Sequence, residues 1–175
     1  VLDKILHKSI YNRSEFERQD IEREIRIFVS SESNKEAIQI LNKNNFVIIS
    51  GIPGIGKTTL AKMLLYNYII EGWDIISVSS DIQEGENLFN PDLNQVFYYD
   101  DFLGTNFLVE LISKNEDKRI VKFIERIKRS KNKKLIMTTR EYILNQAIER
   151  FESLKDKTLE IGKCKIKKKK YTKLI

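Results

Sequence analysis

The sequence predicts an α/β fold in three layers, a parallel sheet covered by helices on both faces. Three observations predict it. Short apolar runs rich in β-branched residues alternate along the chain with segments of helical periodicity. A glycine-rich octapeptide joins the first of these runs to a helix. Two later runs end in Asp-Asp and in Thr-Thr-Arg, and a parallel sheet brings the carboxyl ends of all its strands to one edge.

In chain order, residues 14–25 read as a helix, with Ser14 as its cap, Glu17 three residues on as in a capping box, and Ile21 and Ile25 four apart. A second helix is expected over 33–41, where Ala37, Ile38 and Leu41 share a face. Phe46-Val47-Ile48-Ile49-Ser50 is a continuous apolar run, as in a strand buried on both faces. The residues that follow its glycine-rich turn, 58–70, fit a helix. Four more strands are expected at 74–79, 95–99, 134–138 and 158–161, and helices at 107–111, 120–129 and 141–151. Residues 80–92, with Gly85, Asn87, Asn90 and Pro91, read as a surface excursion and not a domain boundary. The chain thus divides into a helical lead-in (1–30), the α/β domain (31–162) and a basic segment (163–175) that would begin a following helical module.

Composition narrows the class. A chain of 175 residues is long enough for one sizeable core and too short for two full domains. No apolar run approaches the ~20 residues that cross a bilayer, and residues 1–10 carry Asp3, Lys4, His7 and Lys8 in place of a signal peptide's apolar stretch, so a cytoplasmic location and no membrane partner are expected. The single Cys164 cannot form an internal disulfide, and no Cys/His cluster has metal-ligand spacing. His7 reads as an ordinary surface or helix residue. The net charge of +6 is misleading, because Lys163, Lys165, Lys167, Lys168, Lys169, Lys170 and Lys173 form an acid-free run and the rest is close to neutral. Such a run is usually a solvated segment, with nucleic acid or anionic lipid as the other reading. A chain that starts on Val1 and stops just after that run is expected to be a piece of a longer protein.

The chemistry lies in three places. Gly51, Ile52, Pro53, Gly54, Ile55, Gly56, Lys57 and Thr58 satisfy G-x-x-x-x-G-K-[ST], the phosphate-binding loop or P-loop. Backbone N–H groups must point inward at phosphates, and glycine permits the dihedrals and the close approach. Lys57 reaches the β- and γ-phosphates, Thr58 offers its hydroxyl to Mg²⁺, and Thr59 completes the candidate nucleotide-binding set. The helix that starts here aims its positive end at the phosphates. Second, Val96-Phe97-Tyr98-Tyr99-Asp100-Asp101 is a strand that delivers carboxylates at its end. Asp100 is the candidate metal residue opposite Thr58, and Asp101 the candidate for orienting the attacking water. Alone, this string would as readily be a strand ending in a solvated acidic turn; the P-loop upstream favours the metal. Third, Leu135-Ile136-Met137 leads to Thr138-Thr139-Arg140, and a guanidinium on that edge can detect a γ-phosphate. Lys57, Asp101 and Arg140 are therefore the candidate catalytic residues. Ser113-Lys114-Asn115-Glu116-Asp117 has the wrong order and no preceding strand for the guanine-reading N-K-x-D signature, which points away from GTP. Tyr66, Tyr68 and Trp73 read as core and strand-entry aromatics, and Asn44 and Asn45 as turn residues.

The P-loop from Asn45 to Ala61, the string Asp100-Asp101-Phe102-Leu103-Gly104 and the string Thr138-Thr139-Arg140-Glu141-Tyr142-Ile143-Leu144 together resemble the STAND class of P-loop NTPases, and within it the novel STAND NTPase 3 group. The likeness covers roughly residues 27–150. It implies a five-stranded parallel core in the order 5-1-4-3-2, ATP with Mg²⁺, slow hydrolysis, and use as a switch between an effector and a sensor domain, often in bacterial defence against phage. By position it makes Lys57 and Thr58 the phosphate and metal residues, Asp100 the metal aspartate, Asp101 the second acid and Arg140 the γ-phosphate sensor. Phe28, Val29 and the helix from Ser33 correspond to the stretch that helps hold adenine. Such domains continue into helical and winged-helix modules that close over the nucleotide. Here the chain stops soon after the fifth strand, with Lys173-Leu174-Ile175 as the start of that module, so weak nucleotide binding is expected.

The expected partners are an adenine nucleotide, flanking effector and sensor domains of the same chain, and further copies in an ATP-bound homo-oligomer. Two other readings stand beside this one. A P-loop kinase needs a mobile lid rich in arginine, and residues 80–92 contain none; a DNA-acting ATPase would use the lysine run to hold nucleic acid. A nucleotide-binding module without turnover is the third, against which the intact Lys57, Thr58, Asp100 and Asp101 argue.

Overall fold

The computed structural model describes residues 2–24, 32–102, 104, 116–150 and 163–166. Five parallel strands, β1 (Phe46–Gly51), β2 (Asp74–Val78), β3 (Gln95–Tyr99), β4 (Lys133–Arg140) and β5 (Lys163–Lys165), form one sheet in the order β2-β3-β4-β1-β5. This is the expected order 5-1-4-3-2 read from the other side. The helices are α1 (Leu2–Glu24), α2 (Glu32–Asn44), α3 (Lys57–Ile70), α4 (Gln83–Asn87), α5 (Glu116–Arg129) and α6 (Glu141–Arg150).

The strands are apolar on both faces because both faces are covered. Val47 and Ile49 of β1 pack with Leu60, Leu64 and Leu65 of α3 and with Ala37 and Leu41 of α2. Phe46 and Ile48 point the other way, into a layer with Phe123, Ile124 and Ile127 of α5 and Ile143, Leu144 and Ala147 of α6. Ile120, Phe123, Ile124 and Ile127 recur at helical spacing and are all buried, which explains why so charged a helix docks firmly.

Ser14 is not a helix cap. It lies inside α1, where its hydroxyl donates to Ile10 O at 2.8 Å and accepts the N–H of Ser77 at 2.9 Å. Beside it, the Arg13 guanidinium donates to Ser77 O at 2.5 and 3.1 Å and to Glu84 at 2.5 Å. Strand β2 is an edge strand, so these are ladder groups with no strand to pair them, and α1 supplies the partners. The helix straddles that edge, with Ile10 buried in one layer and Ile21 in the other. Replacing Ser14 with alanine strands a buried N–H and is expected to lower stability by about 1–2 kcal/mol. A thermal melt should show a drop of roughly 2–8 °C; an unchanged melt would mean that α1 does not hold the edge.

Residues 80–92 also depart from expectation. They include α4, and Ile82 and Leu88 are buried in the core, so the segment is packed down and not a loose excursion. Its Glu84 is half-buried; burial alone would raise the carboxyl's pKa, but the N–H of Ser79, the Ser80 hydroxyl and Arg13 hold it below the usual value.

The fifth strand pairs β1 at Ile48↔Lys163, Ile49↔Cys164 and Ser50↔Lys165. The sheet thus takes in the head of the basic segment, a few residues beyond the expected strand. Cys164 is buried there, and burial pushes its thiol up to about 12. The strand expected at 158–161, the helix expected at 107–111, and Phe28, Val29, Ser113 to Asn115 and the lysines past residue 166 lie outside the described residues. No helix among the described residues is long and apolar enough to cross a membrane.

Candidate functional site

The carboxyl ends of β1, β3 and β4 meet at one edge, in a register that sets Ser50 beside Thr139 and Gly51 beside Arg140. From Gly51 the chain turns through Ile52, Pro53, Gly54, Ile55 and Gly56 into α3. Gly54 (φ 74°) and Gly56 (φ 100°) take left-handed conformations that other residues adopt only at a cost. Gly56 occupies the cap position, gives no side-chain cap, and the first turn of α3, Lys57, Thr58 and Thr59 included, holds no acid. The N–H groups of a helix start therefore lie beside a loop of backbone N–H groups, with no acid in the helix's own first turn to meet them, which suits a phosphate. Lys57 Nζ donates across the loop to Ile52 O at 3.1 Å.

Opposite the loop, the Thr58 hydroxyl donates to Asp100 at 3.2 Å (Oδ1) and 3.4 Å (Oδ2). Asp100 also accepts a short hydrogen bond from the Thr138 hydroxyl, and the same hydroxyl accepts the N–H of Asp101 at 2.8 Å. Phe102 N–H closes the turn on Thr138 O at 3.0 Å. One threonine of β4 thus sets the backbone path of both acids. That path is unusual: Asp101 has φ 44°, a left-handed conformation that a short polar side chain tolerates better than most. Its Oδ2 faces the Arg140 guanidinium at 3.5 Å, while its Oδ1 is buried with no hydrogen-bond partner. Arg140 also donates to Tyr142 Oη at 3.5 Å. The Tyr142 oxygen and then the Asp101 carboxylate raise the pKa of the guanidinium, which stays charged. The Arg140–Asp101 pair is part-exposed and long, so it holds neither side chain firmly.

Ser50 Oγ, Tyr98 Oη, Asp101 Oδ1 and Thr139 Oγ1 all lie on these strand ends, buried and without a hydrogen-bond partner. Native proteins leave few such atoms, and here they gather where the sequence places its chemistry. The open helix start, the Thr58–Asp100 pair and the orphaned Asp101 oxygen fit a nucleotide phosphate chain with a divalent metal ion.

With that geometry in place, comparison with known proteins is informative. The sequence profile of the family described as Novel STAND NTPase 3 matches residues 28–175. The chain belongs to the novel STAND NTPase 3 family. No curated protein matches it. Among solved structures, Aeropyrum pernix ORC2, determined in ADPNP–ADP complexes, is similar with 16% identity and a TM-score of 0.50 over 77% of this chain and 47% of that one. PCH-2 of C. elegans is 18% identical, with a TM-score of 0.44 over 78% of this chain and 39% of that one. The chain spans about half the length of the first and less of the second; the likeness to the first shows the fold alone. The family match begins after α1.

Every candidate site residue of this nSTAND3 domain falls within the described residues, and the structure brings Thr58, Asp100, Asp101 and Arg140 together beside the loop. Thr138 and Tyr98 carry no chemistry that their sequence strings alone assign. Tyr98 precedes Asp100 by two, so strand periodicity puts both on one face, and that signal was available. The contact from Thr138 to both acids depends on the turn at Asp101, which no spacing rule reveals.

Proposed function

We propose that this domain is an adenine-nucleotide switch that binds ATP with Mg²⁺ and hydrolyses it slowly. The observation that carries this reading is the convergence of Thr58, Asp100, Asp101 and Arg140, from three different elements, on the open start of α3. The P-loop N–H groups and Lys57 cradle the phosphates. Thr58 and Asp100 would hold a Mg²⁺ ion, which would supply positive charge to neutralise the charge that develops on the phosphates. Asp101 orients the attacking water and takes its proton on a carboxylate oxygen. Arg140 leaves Asp101 for the γ-phosphate, so one movement reports the phosphate and frees the acid. This coupling supports a switch more than a dedicated hydrolase: ATP and ADP would hold Arg140 in different places.

On this reading the domain sits in the cytoplasm between effector and sensor domains of the same protein, in signalling or defence, and its ATP-bound form assembles with further copies. The packed state of residues 80–92 gives a kinase no mobile lid there, which favours the switch. Arg140→Ala is expected to bind ADP as the parent does and to lose any preference for ATP over ADP. Competition titrations against a fluorescent nucleotide check this, and an unchanged preference would remove Arg140 from the sensor role.

A further inference from the structure

Tyr98 stands on the same face of β3 as Asp100 and packs against the first turns of α3 with Leu60 and Ala61. It is 2% exposed, whereas Thr58 and Asp100 above it are open to solvent. Its hydroxyl is buried beside the Asp100 carboxylate and the Thr58 hydroxyl, within reach of either but without the geometry of a formed hydrogen bond in this structure. A phenol carries its proton at neutral pH and can donate it. Glu17 of α1 is the other carboxylate near enough to act on the phenol, and it faces Lys62 of α3 at 3.8 Å. A buried hydroxyl without a partner is costly, and phenylalanine would fill the same space without that cost. Packing alone therefore gives no reason for a tyrosine here.

We propose that Tyr98 is a positioning residue for the metal-binding pair, its phenol donating to the Asp100 carboxylate from beneath and fixing it opposite Thr58. Asp100 has room for this donor, since an ionised carboxylate offers about four acceptor sites and Thr58 and Thr138 occupy two positions around it. With donors from α3, from β4 and from within β3, the carboxylate loses its rotational freedom and presents one oxygen to the metal shell. The inference rests on the proposed role of Thr58 and Asp100 in holding Mg²⁺.

The test is Tyr98→Phe, read in two ways on the same protein. The first is the ratio of ATP affinity with Mg²⁺ to that in excess chelator; the second is the melting temperature without nucleotide. The expected result is a ratio reduced roughly tenfold, the scale of one hydrogen bond to a charged group, with ATP affinity in chelator unchanged and a melting temperature equal to or above that of the parent. A mutant with the parent's Mg²⁺ ratio overturns the role of Tyr98 and leaves the metal reading standing. A lower melting temperature with an unchanged ratio makes the hydroxyl purely structural. A parent protein that gains no affinity from Mg²⁺ overturns the metal reading and this inference with it.

Discussion

Lys57→Ala abolishes measurable ATP·Mg²⁺ binding under conditions where the parent protein binds. Each charge-assisted hydrogen bond from an ammonium to phosphate contributes about 1.5–3 kcal/mol, so losing the Lys57 contacts weakens the complex by roughly a hundredfold or more. The loss is specific to the ligand. Among the described residues Lys57 donates to Ile52 O across the loop and forms no ion pair. The mutant should unfold within about 0.5 kcal/mol of the parent, as surface substitutions do. A calorimetric titration beside a urea melt checks both halves. A mutant that binds ATP as tightly as the parent would show that residues 51–58 do not hold the phosphates.

The second large effect is on turnover. Asp101→Ala preserves binding and lowers the rate of hydrolysis, but alanine at φ 44° also carries a backbone cost of about 1–2 kcal/mol. Asp101→Asn avoids most of that cost, because asparagine tolerates the left-handed region, and keeps the hydrogen-bonding shape while removing the basic oxygen. Single-turnover hydrolysis by Asp101→Asn should fall by about 10²-fold or more, with ATP affinity within roughly threefold of the parent's. If hydrolysis survives in Asp101→Asn, Asp101 is not the proton acceptor and the water is oriented by something else.

The layered sheet was legible in the sequence because every central strand is buried on both faces, whereas its strand order came from the family resemblance. A run such as Phe46-Val47-Ile48-Ile49 has no polar side to confuse the pattern. The loop was legible because its demands are local, glycine where φ is positive and a lysine and threonine at the helix start. What was not legible was set by tertiary contact. Ser14 has the local appearance of a helix cap, yet it serves the backbone of Ser77, 63 residues away. Residues 80–92 carry loop-forming residues, but Ile82 and Leu88 bury themselves and Glu84 is held by Arg13 of α1. Asn45 was read as a turn residue and is one, at φ 64°, and its side chain also receives Lys134 and donates to Lys128 O and Ser130 O, ties that no spacing shows. Within the site, the identities of Asp100, Asp101 and Arg140 came from the ends of apolar runs. The turn at Asp101 that lets Thr138 hold both acids came only from the structure.

The central claim is that the edge formed by β1, β3 and β4 is an adenine-nucleotide site. Calorimetric titration of the protein with ATP, ADP and GTP, each with Mg²⁺, tests it most directly. The expected result is binding of ATP and ADP with one nucleotide per chain and no binding of GTP. GTP binding as tight as ATP, or no binding of any of the three, would contradict it.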